Sequence, residues 1–417
     1  MNMIRKQHKI LFWGLMLVAQ VCAFILFKDL ADISQWWVQS SRKFTMAVWY
    51  LRWPLAIITL AALAGSIWLW RNNKLLIKTP LMALLIFVCL FNWYSGFLNT
   101  KLMFRPKLGD DAMFVSVDDA PKYMQEMLHA SYEKDHFNNV DEINVMVLET
   151  DQGARAYTDY YMLQPHVANA GTINGEEVVM TYCGLTNMGI AYSPVIGDQP
   201  LKLRAMTQLR NNLVMVDSNT GEPIQQFWGT LERDGEHGPA MKEWATIRMP
   251  FGSFRTLYPD GKVFINGIRQ QSDNALVRAF DTAIRDGIMV HAVRTLQWQS
   301  NEPAFPTIKE FDDRLPRKQL VYGINVGNDF VAYTKAFIQE QGNLLNVEIG
   351  NRPVVIFYDA DYDSVAAYYN DSGNAVSSVD LFGNSDQGKL ARLETLKNAV
   401  FWFIWYDFNK STDVNRV

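Results

Sequence analysis

The chain has 417 residues, of which 49% are hydrophobic and 20% are charged, a balance that excludes intrinsic disorder and fibrous repeats. Residues 1–99 carry ten Lys and Arg against two Asp and Glu, whereas residues 100–417 carry 29 basic and 41 acidic residues. Nucleic-acid binding depends largely on basic side chains that neutralise phosphates. We therefore predict a basic membrane region followed by an acidic soluble body, with no nucleic-acid partner.

Three apolar stretches near the N-terminus, residues 10–27, 54–70 and 81–98, are long enough to cross a bilayer, which takes about 20 helical residues. No small-residue cleavage pattern follows the first stretch, so it is predicted to be a retained anchor. Aromatic residues such as Trp53 and Trp68 flank the second stretch at headgroup depth. Asn92 lies within the third, and such a polar residue usually faces a neighbouring helix. The lipid bilayer is therefore a predicted partner, and the three helices are predicted to form one bundle.

The orientation is set by a narrow difference in charge. With the N-terminus inside, six basic residues lie inside and a similar number outside. The short basic loop at residues 71–78 and the usual dominance of the first helix favour an N-terminus inside the cell. We therefore predict a multi-pass protein of the bacterial inner (cell) membrane with its soluble domain extracytosolic. A cytosolic body is the alternative.

The soluble body contains a sequence repeat. Residues 155–163 (R-A-Y-T-D-Y-Y-M-L) resemble residues 331–339 (V-A-Y-T-K-A-F-I-Q), which lie 176 positions later in the chain. The same offset relates residues 177–182 to residues 353–358. Farther along, residues 254–263 resemble residues 405–414 at an offset of 151. Self-similarity of this kind predicts duplication of one structural unit.

The predicted elements of the two copies are mainly strands. Each copy opens with a β-like run and a turn, at residues 143–148 and 320–326, followed by a short helix. Turns at Asn174-Gly175 and Gly350-Asn351 then lead into strands at residues 178–182 and 354–358. The first copy adds a strand at residues 213–216. These patterns favour a mainly β (α+β) fold with short helices.

The fold class that we predict is an N-terminal three-helix transmembrane region plus a mainly β soluble domain built from two tandem copies of one unit. An amphipathic helix is expected near residues 121–132 and a capped helix over residues 275–284. The predicted segments are a membrane domain at 1–99, a connecting amphipathic segment at 100–140, the first unit at 141–266, a helical inter-repeat connection at 267–318 and a second, shorter unit at 319–417.

Three separated motifs of the body are V-V-M-T-Y-C-G-L-T-N-M-G-I-A-Y at residues 178–192, L-V-M-V-D-S-N-T-G-E-P-I-Q-Q-F-W-G at 213–229 and F-P-T-I-K-E-F-D-D-R-L-P-R-K-Q-L-V-Y-G-I at 305–324. Together they resemble the domain-of-unknown-function 3179 family of bacterial proteins, in order over about residues 145–417. Gly184 stands where family members typically have Pro. That family has no assigned activity, so the resemblance implies an architecture and no function.

Cys183 is the candidate catalytic residue, because the other cysteines, Cys22 and Cys89, lie in the predicted spans. A thiol without a disulfide partner in an oxidising compartment is buried, metal-bound or reactive. A nucleophilic Cys needs a nearby base, and His166 and His237 are the candidates within the first unit. The alternative is a small buried side chain at a strand end, since free Cys is among the most buried residue types.

Candidate ligand-binding residues follow the first two motifs: Tyr182, Thr186, Asn187, Asp217 and Gln226. They supply the few polar groups that a mostly apolar cleft needs. A weak calcium-loop pattern begins at Asp359, where a solvated acidic turn is the preferred interpretation. No metal site is predicted, and the cofactor is unknown.

Three hypotheses for function remain open. The first is an uncharacterised membrane-anchored protein whose duplicated extracytosolic domain binds a small ligand. The second is a thiol-dependent or metal-dependent enzyme that uses Cys183. The third is an assembly protein whose membrane helices, including Asn92, pack against a membrane-protein partner.

Overall fold

A computed structural model describes residues 2–31, 34, 40–72, 77–98, 114–125, 127–130, 137–163, 165–265 and 299–417. The helix expected over residues 275–284 lies outside these residues. The chain forms two compact units, the first containing residues 1–105 and the second most of residues 106–417. We call them the membrane unit and the body.

The membrane unit contains the helices α1 (Asn2–Leu30), α2 (Arg42–Tyr50), α3 (Arg52–Asn72) and α4 (Thr79–Trp93), and a π-helical turn at Tyr94–Leu98 follows α4. Three segments are long and apolar enough to cross a membrane: Lys6–Leu30, Arg52–Asn72 and Thr79–Phe97. The three predicted stretches are thereby confirmed as candidate spans.

Helix α1 is the centre of the membrane unit, because it contacts both α3 and α4. The Gln20 side-chain amide donates a hydrogen bond to the Leu85 carbonyl at 2.7 Å, which ties α1 to α4. A Cβ atom at Gly96 would collide with the backbone of Leu26. Glycine there allows the π-helical turn to approach α1 closely, as small residues do at membrane helix contacts.

Helix α2 was not expected, since the sequence indicates a loop between the first two spans. The Ser41 side chain caps the helix by accepting a hydrogen bond from the Phe44 N–H. Thr45, Met46 and Trp49 are then buried against the rest of the unit. Packing of this short amphipathic face stabilises α2, which is too short to be recognised as a span.

The N-terminal half of the body, residues 114–265, contains fifteen described strands: β1 Phe114–Ser116, β2 Asn144–Thr150, β3 Gly153–Thr158, β4 Val167–Ile173, β5 Glu176–Cys183, β6 Met188–Tyr192, β7 Val195–Ile196, β8 Gln199–Pro200, β9 Leu203–Leu209, β10 Asn212–Asp217, β11 Pro223–Gln225, β12 Thr230–Leu231, β13 Glu243–Trp244, β14 Ile247–Pro250 and β15 Lys262–Phe264. Its described helices are α5 Ala120–Met124, α6 Met127–Ala130, α7 Asp159–Met162 and α8 Phe251–Leu257. Short 3₁₀ turns lie at Val140–Glu142 and Gly235–His237.

The C-terminal half, residues 299–417, contains the strands β16 Leu320–Val326, β17 Asp329–Tyr333, β18 Leu344–Ile349, β19 Arg352–Asp359, β20 Ser364–Tyr369, β21 Asn384–Ser385, β22 Gly388–Lys389, β23 Ala391–Arg392, β24 Lys397–Phe401 and β25 Asp413–Val414. The helices α9 Lys335–Glu340 and α10 Trp402–Phe408 complete it. The predicted mainly β character with short helices is confirmed.

Two predicted hairpin turns have the required backbone. Asn174 and Gly175 have φ of 53° and 77°, and Gly350 and Asn351 have φ of 59° each. Positive φ at both central residues is what a two-residue hairpin turn of the primed type needs. The amphipathic helix predicted near residues 121–132 is divided between α5 and α6, with Met124 and Met127 buried.

Five sheets of four or five strands give the body a propeller-like arrangement. Their strand orders are β1-β15-β3-β2-β14 for sheet I, β13-β6-β5-β4 for sheet II, β12-β11-β10-β9 for sheet III, β24-β16-β17-β25 for sheet IV and β18-β19-β20-β23 for sheet V. Two-stranded ribbons, β7-β8 and β21-β22, extend from them.

Four of the sheets contact one another in a cycle. Strand β2 meets β4, β6 meets β24, β17 meets β18, and β20 meets β14, while β14 and β24 also meet each other. Sheet III packs on sheet II through β10 and β5. Each half therefore covers a sheet of the other half, and one buried hydrophobic cluster includes Met146 and Tyr182 together with Val355 and Tyr368.

Four strands of sheet I, in the order β15-β3-β2-β14, correspond to the four strands of sheet IV, in the order β25-β17-β16-β24. Strand β15 runs parallel to β3, with Lys262 opposite Arg155, and β25 runs parallel to β17, with Asp413 opposite Val331. These pairs differ by 151 and 176 residues, the two offsets of the sequence repeat. The topology is compatible with two tandem copies, which stays a prediction.

Two pairs of residues that the sequence offsets relate differ in side-chain volume in opposite directions. In the C-terminal half, a Cβ atom at Gly323 of β16 would collide with the Trp405 ring of α10. The positions that correspond in the N-terminal half are Val147 on β2 and Phe254 on α8, both buried in one cluster. A small strand residue faces a large ring in one half, and a larger strand residue faces a smaller ring in the other.

We expect Gly323→Val to destabilise the protein by ~1–3 kcal/mol, because overpacking forces neighbouring side chains to move. Trp405→Phe should also destabilise it, since the Trp405 indole N–H donates to the Thr412 hydroxyl at 2.8 Å. The double variant should lose less than the sum of the two, because the smaller ring makes room for the valine. Denaturant unfolding of the full chain in detergent measures all three, and additive losses would contradict the exchange.

Candidate functional site

The hairpin formed by β5 and β6 carries the first sequence motif. Strand β5 is exposed at Glu176 and Glu177 and buried in its remaining residues, so it packs on both faces. Residues 184–187 form the turn to β6. Asn187 has a φ of 58°, a left-handed conformation that Asn tolerates better than most residues. The turn thereby fixes the positions of Cys183, Thr186 and Asn187.

This turn of the N-terminal half is bonded to strand β24 of the C-terminal half. The Asn187 amide donates to the Ala399 carbonyl at 2.9 Å, and the Phe401 N–H donates to the Thr186 carbonyl at 3.2 Å. Arg248 of β14 donates to the Asn187 carbonyl and to its side-chain oxygen, both at 2.8 Å. Asn187 therefore joins three elements from two halves.

Buried charges continue this contact. Lys397 of β24 forms an ion pair with Glu243 of β13; the Lys397 side chain is buried and the Glu243 side chain is 15% exposed. Burial raises the pKa of Glu243, whereas the Lys397 ammonium opposes that rise. Next to Lys397, the Asn398 amide donates to the Thr246 carbonyl at 2.5 Å. We name the whole cluster the polar junction; it consists of Thr186, Asn187, Glu243, Thr246, Arg248, Lys397 and Asn398.

Cys183 lies at the end of β5 beside the polar junction and is 3% exposed. Its Sγ lies 4.0 Å from the Asn211 carbonyl. Burial raises the pKa of the Cys183 thiol, and hydrogen bonds from the Thr186 hydroxyl and from the N–H groups of Leu185 and Leu213 act in the opposite direction. The thiol is therefore protonated and enclosed in the described state, and its proposed role as a nucleophile stays a prediction.

The two candidate histidines are in different environments. His166 is half-buried, and its Nδ1 lies 3.0 Å from the Tyr182 carbonyl, which occupies that nitrogen. Burial lowers the pKa of His166 to about 4, so the ring is neutral at pH 7. His237 is exposed over 86% of its side chain and pairs with its neighbour Glu236 at 3.3 Å.

Asp217 organises a turn of sheet III. Its carboxylate accepts hydrogen bonds from the Lys202 N–H at 2.8 Å and from the Thr220 N–H and hydroxyl at 3.0 and 2.7 Å. These donors hold the pKa of Asp217 below its usual value, although burial acts in the opposite direction. All of its described contacts are internal, and its suggested role as a ligand contact stays a prediction.

Gln226 links sheet III to sheet II inside the core. Its amide donates to the Thr181 hydroxyl at 3.0 Å, its side-chain oxygen accepts from Asn212 at 3.1 Å, and its carbonyl accepts from the Tyr192 hydroxyl at 2.6 Å. Tyr182, the remaining candidate, is fully buried. In the described state these residues stabilise the contact between two sheets.

The acidic run at Asp359 uses its carboxylates within the fold. Asp359 accepts from the N–H groups of Asp361 and Tyr362, and Asp363 pairs with Lys335. Among the residues that the structure describes, no group of three or more His, Cys, Asp or Glu could hold a metal ion. The solvated acidic turn is the interpretation that these contacts support.

Sequence reasoning missed five members of the polar junction: Glu243, Thr246, Arg248, Lys397 and Asn398. None belongs to a recognised motif, and Asn187 is 212 residues from Ala399. One signal was present, because extending the repeat at offset 151 toward the N-terminus aligns Arg248 with Ala399 in the strand that precedes each aromatic helix. That alignment would have directed attention to β14 and β24.

The lowered pKa of His166 predicts a loss of stability in acid. The pKa of His166 is 6.5 in the unfolded chain, where the ring is in water, and about 4 in the folded chain. Between these two values only the unfolded chain binds the proton. The contribution is present above pH 6.5 and is lost as the pH falls to about 4, by at most ~3 kcal/mol at 1.36 kcal/mol per pKa unit. Urea unfolding across this window measures it.

His166→Asn is the matched variant, because His166 has a φ of 67° and Asn tolerates that backbone conformation. We expect the variant to show a shallower decrease in stability over the same pH range. An unchanged slope would assign the acid sensitivity to other groups.

The comparisons with known proteins give one match. The family model described as protein of unknown function (DUF3179) matches residues 116–412. No curated protein and no solved structure matches the chain. The matched segment is more than half of the chain. It includes the polar junction, Cys183 and the two candidate bases, His166 and His237. The chain therefore belongs to the DUF3179 family of proteins of unknown function.

Proposed function

We propose that this protein is a membrane-anchored binding protein of the bacterial inner membrane, with an extracytosolic body that holds a small polar ligand at the polar junction. In this proposal the three apolar helices anchor the chain, and the body consists of two tandem copies of one unit. The shared parallel registers and the exchange of volume between Gly323 with Trp405 and Val147 with Phe254 support the duplication. Ligand sites are frequent where two lobes meet.

One observation carries the proposed ligand. The side-chain oxygen of Asn398 is buried and accepts no hydrogen bond from any residue that the structure describes. A buried acceptor without a donor costs ~1–3 kcal/mol, and such groups are rare in native proteins. A ligand that offers an N–H or O–H donor would satisfy this oxygen.

The surroundings of Asn398 suit a polar molecule. Lys397 and Glu243 supply both signs of charge nearby. The earlier candidates Thr186 and Asn187 belong to the same junction, whereas Asp217 does not.

Native mass spectrometry of the full chain, purified from its own membrane, tests the ligand. We expect the wild-type protein to retain a small-molecule mass that Asn398→Leu loses, because leucine cannot accept the donor. Asn370→Leu is the matched control, since Asn370 is equally buried but bonds within its own loop. A wild-type mass equal to that of the chain, or equal retention by both variants, would contradict the proposal.

The proposed orientation has a separate test. In a Cys22→Ala, Cys89→Ala background, the buried Cys183 contributes little labelling, so single cysteines can be introduced at exposed positions. His237→Cys should react with a membrane-impermeant maleimide on intact spheroplasts, whereas Lys78→Cys, between α3 and α4, should react only after lysis. The reverse pattern would place the body in the cytosol.

A thiol-dependent or metal-dependent enzyme is the second candidate. The observation that favours it is the set of hydrogen bonds from the Leu185 and Leu213 N–H groups and the Thr186 hydroxyl to the Cys183 sulfur, because such donors stabilise a thiolate. The Cys183 thiol is buried, and a substrate could not reach it in the described state. We therefore rank the enzyme below the binding protein.

A further inference from the structure

Three polar side chains of the candidate spans find their hydrogen-bond partners inside the membrane unit. Gln20 of α1 donates to the Leu85 carbonyl of α4 at 2.7 Å. Thr59 and Ser66 of α3 donate to carbonyls of their own helix at 2.8 and 2.9 Å. These bonds satisfy groups for which lipid tails offer no partner.

Asn92 of α4 departs from this pattern. It is half-buried, and no hydrogen bond joins its side-chain amide to any residue that the structure describes. The candidate span ends at Phe97, so Asn92 lies about 7.5 Å inside that end at 1.5 Å per residue. An amide without a partner is costly in an apolar medium. The group that satisfies Asn92 therefore comes from outside the membrane unit.

The neighbours of Asn92 form an open stripe along α4. Leu81, Leu85, Val88 and Asn92 follow one another at intervals of four, three and four residues. This is the spacing of the seam between two helices that pack along their length. Leu81 and Val88 are 45% and 38% exposed, and Leu85 is half-buried. We call these four residues the α4 seam.

A second copy of the chain is the partner that matches the α4 seam. Copies of one membrane protein are inserted in the same orientation, so Asn92 of the second copy lies at the same depth in the bilayer. A side-chain amide contains both a donor and an acceptor. Across a twofold axis each Asn92 can therefore donate to the oxygen of the other. A different membrane protein would need a polar group placed at this depth independently.

We propose that α4 packs in parallel against α4 of a second copy of this chain along the α4 seam, with the two Asn92 amides hydrogen-bonded to each other. A single Asn within an otherwise apolar seam fixes the register of the two helices. The proposal rests on the membrane anchoring proposed above and applies to either orientation of the chain. It does not depend on a ligand at the polar junction.

Disulfide cross-linking in native membranes tests the contact. In a Cys22→Ala, Cys89→Ala background, Val88→Cys places a thiol on the α4 seam. Leu90→Cys is the matched control, because Leu90 is 40% exposed and points about 200° away from Val88 around the helix. Oxidation with copper phenanthroline should link the Val88→Cys chains into dimers and leave the Leu90→Cys chains monomeric. Cys183 is 3% exposed and contributes little to either result.

The role of the amide has its own measurement. Native mass spectrometry of the full chain, diluted in nonionic detergent, gives the dissociation constant of the dimer. We expect Asn92→Leu to weaken the dimer about tenfold, because it removes the hydrogen bonds between the two helices. Asn92→Gln retains an amide and should preserve most of the affinity. Thr59→Val, which removes a hydroxyl bonded within α3, should leave the affinity unchanged.

Four outcomes would overturn the proposal: no link at Val88→Cys, equal linking at Val88→Cys and Leu90→Cys, linking of Val88→Cys to a different protein, or an unchanged dissociation constant in Asn92→Leu. If Asn92→Leu does not fold, the comparison of Val88→Cys with Leu90→Cys decides. Absence of the wild-type protein from the membrane fraction would refute the anchoring instead. A dimer without a bound small molecule would refute only the proposed ligand.

Discussion

The fold of the body depends on mutual coverage, because neither half buries its own sheets completely. Strand β6 of the N-terminal half packs on β24 of the C-terminal half, and β20 packs on β14 in return. The same exchange extends to side chains: Phe227 stacks on Phe408 with ring centroids 4.3 Å apart, and Arg392 reaches Glu149 at 3.3 Å. An apolar core shared in this way stabilises the body only when both halves are present.

Mutual coverage also explains why buried polar side chains lie between the two halves. Strands β14 and β24 meet at their edges, where backbone and side-chain polar groups need partners from the opposite half. Asn187 and Thr246 bond to β24, and Arg248 donates to Asn187 from within the same half. The same burial that makes these hydrogen bonds strong also encloses Cys183 and Asn398. A ligand at the polar junction would therefore enter before the halves close, or through a local opening.

Local features of the fold could be predicted from the sequence, whereas the site could not. The three candidate spans, the strands at residues 320–326 and 178–182, and the left-handed turn at Asn174-Gly175 follow from length, β-branching and glycine, which act over a few residues. Helix α2 depends on tertiary packing, and the ion pair of Lys397 with Glu243 joins residues 154 apart in the chain. Asp217 was a candidate ligand contact because its carboxylate can accept hydrogen bonds. In the structure that carboxylate accepts them from Lys202 and Thr220 of its own turn.

The shared core has a consequence for synthesis. A ribosome completes residues 114–265 long before residues 319–417, so Met146, Tyr157 and their neighbours emerge without the surfaces that later cover them. Contacts between residues so far apart in sequence form slowly, and exposed apolar strands invite aggregation during the delay. Incomplete chains remain open to such encounters until the last described strand, β25, has joined β17.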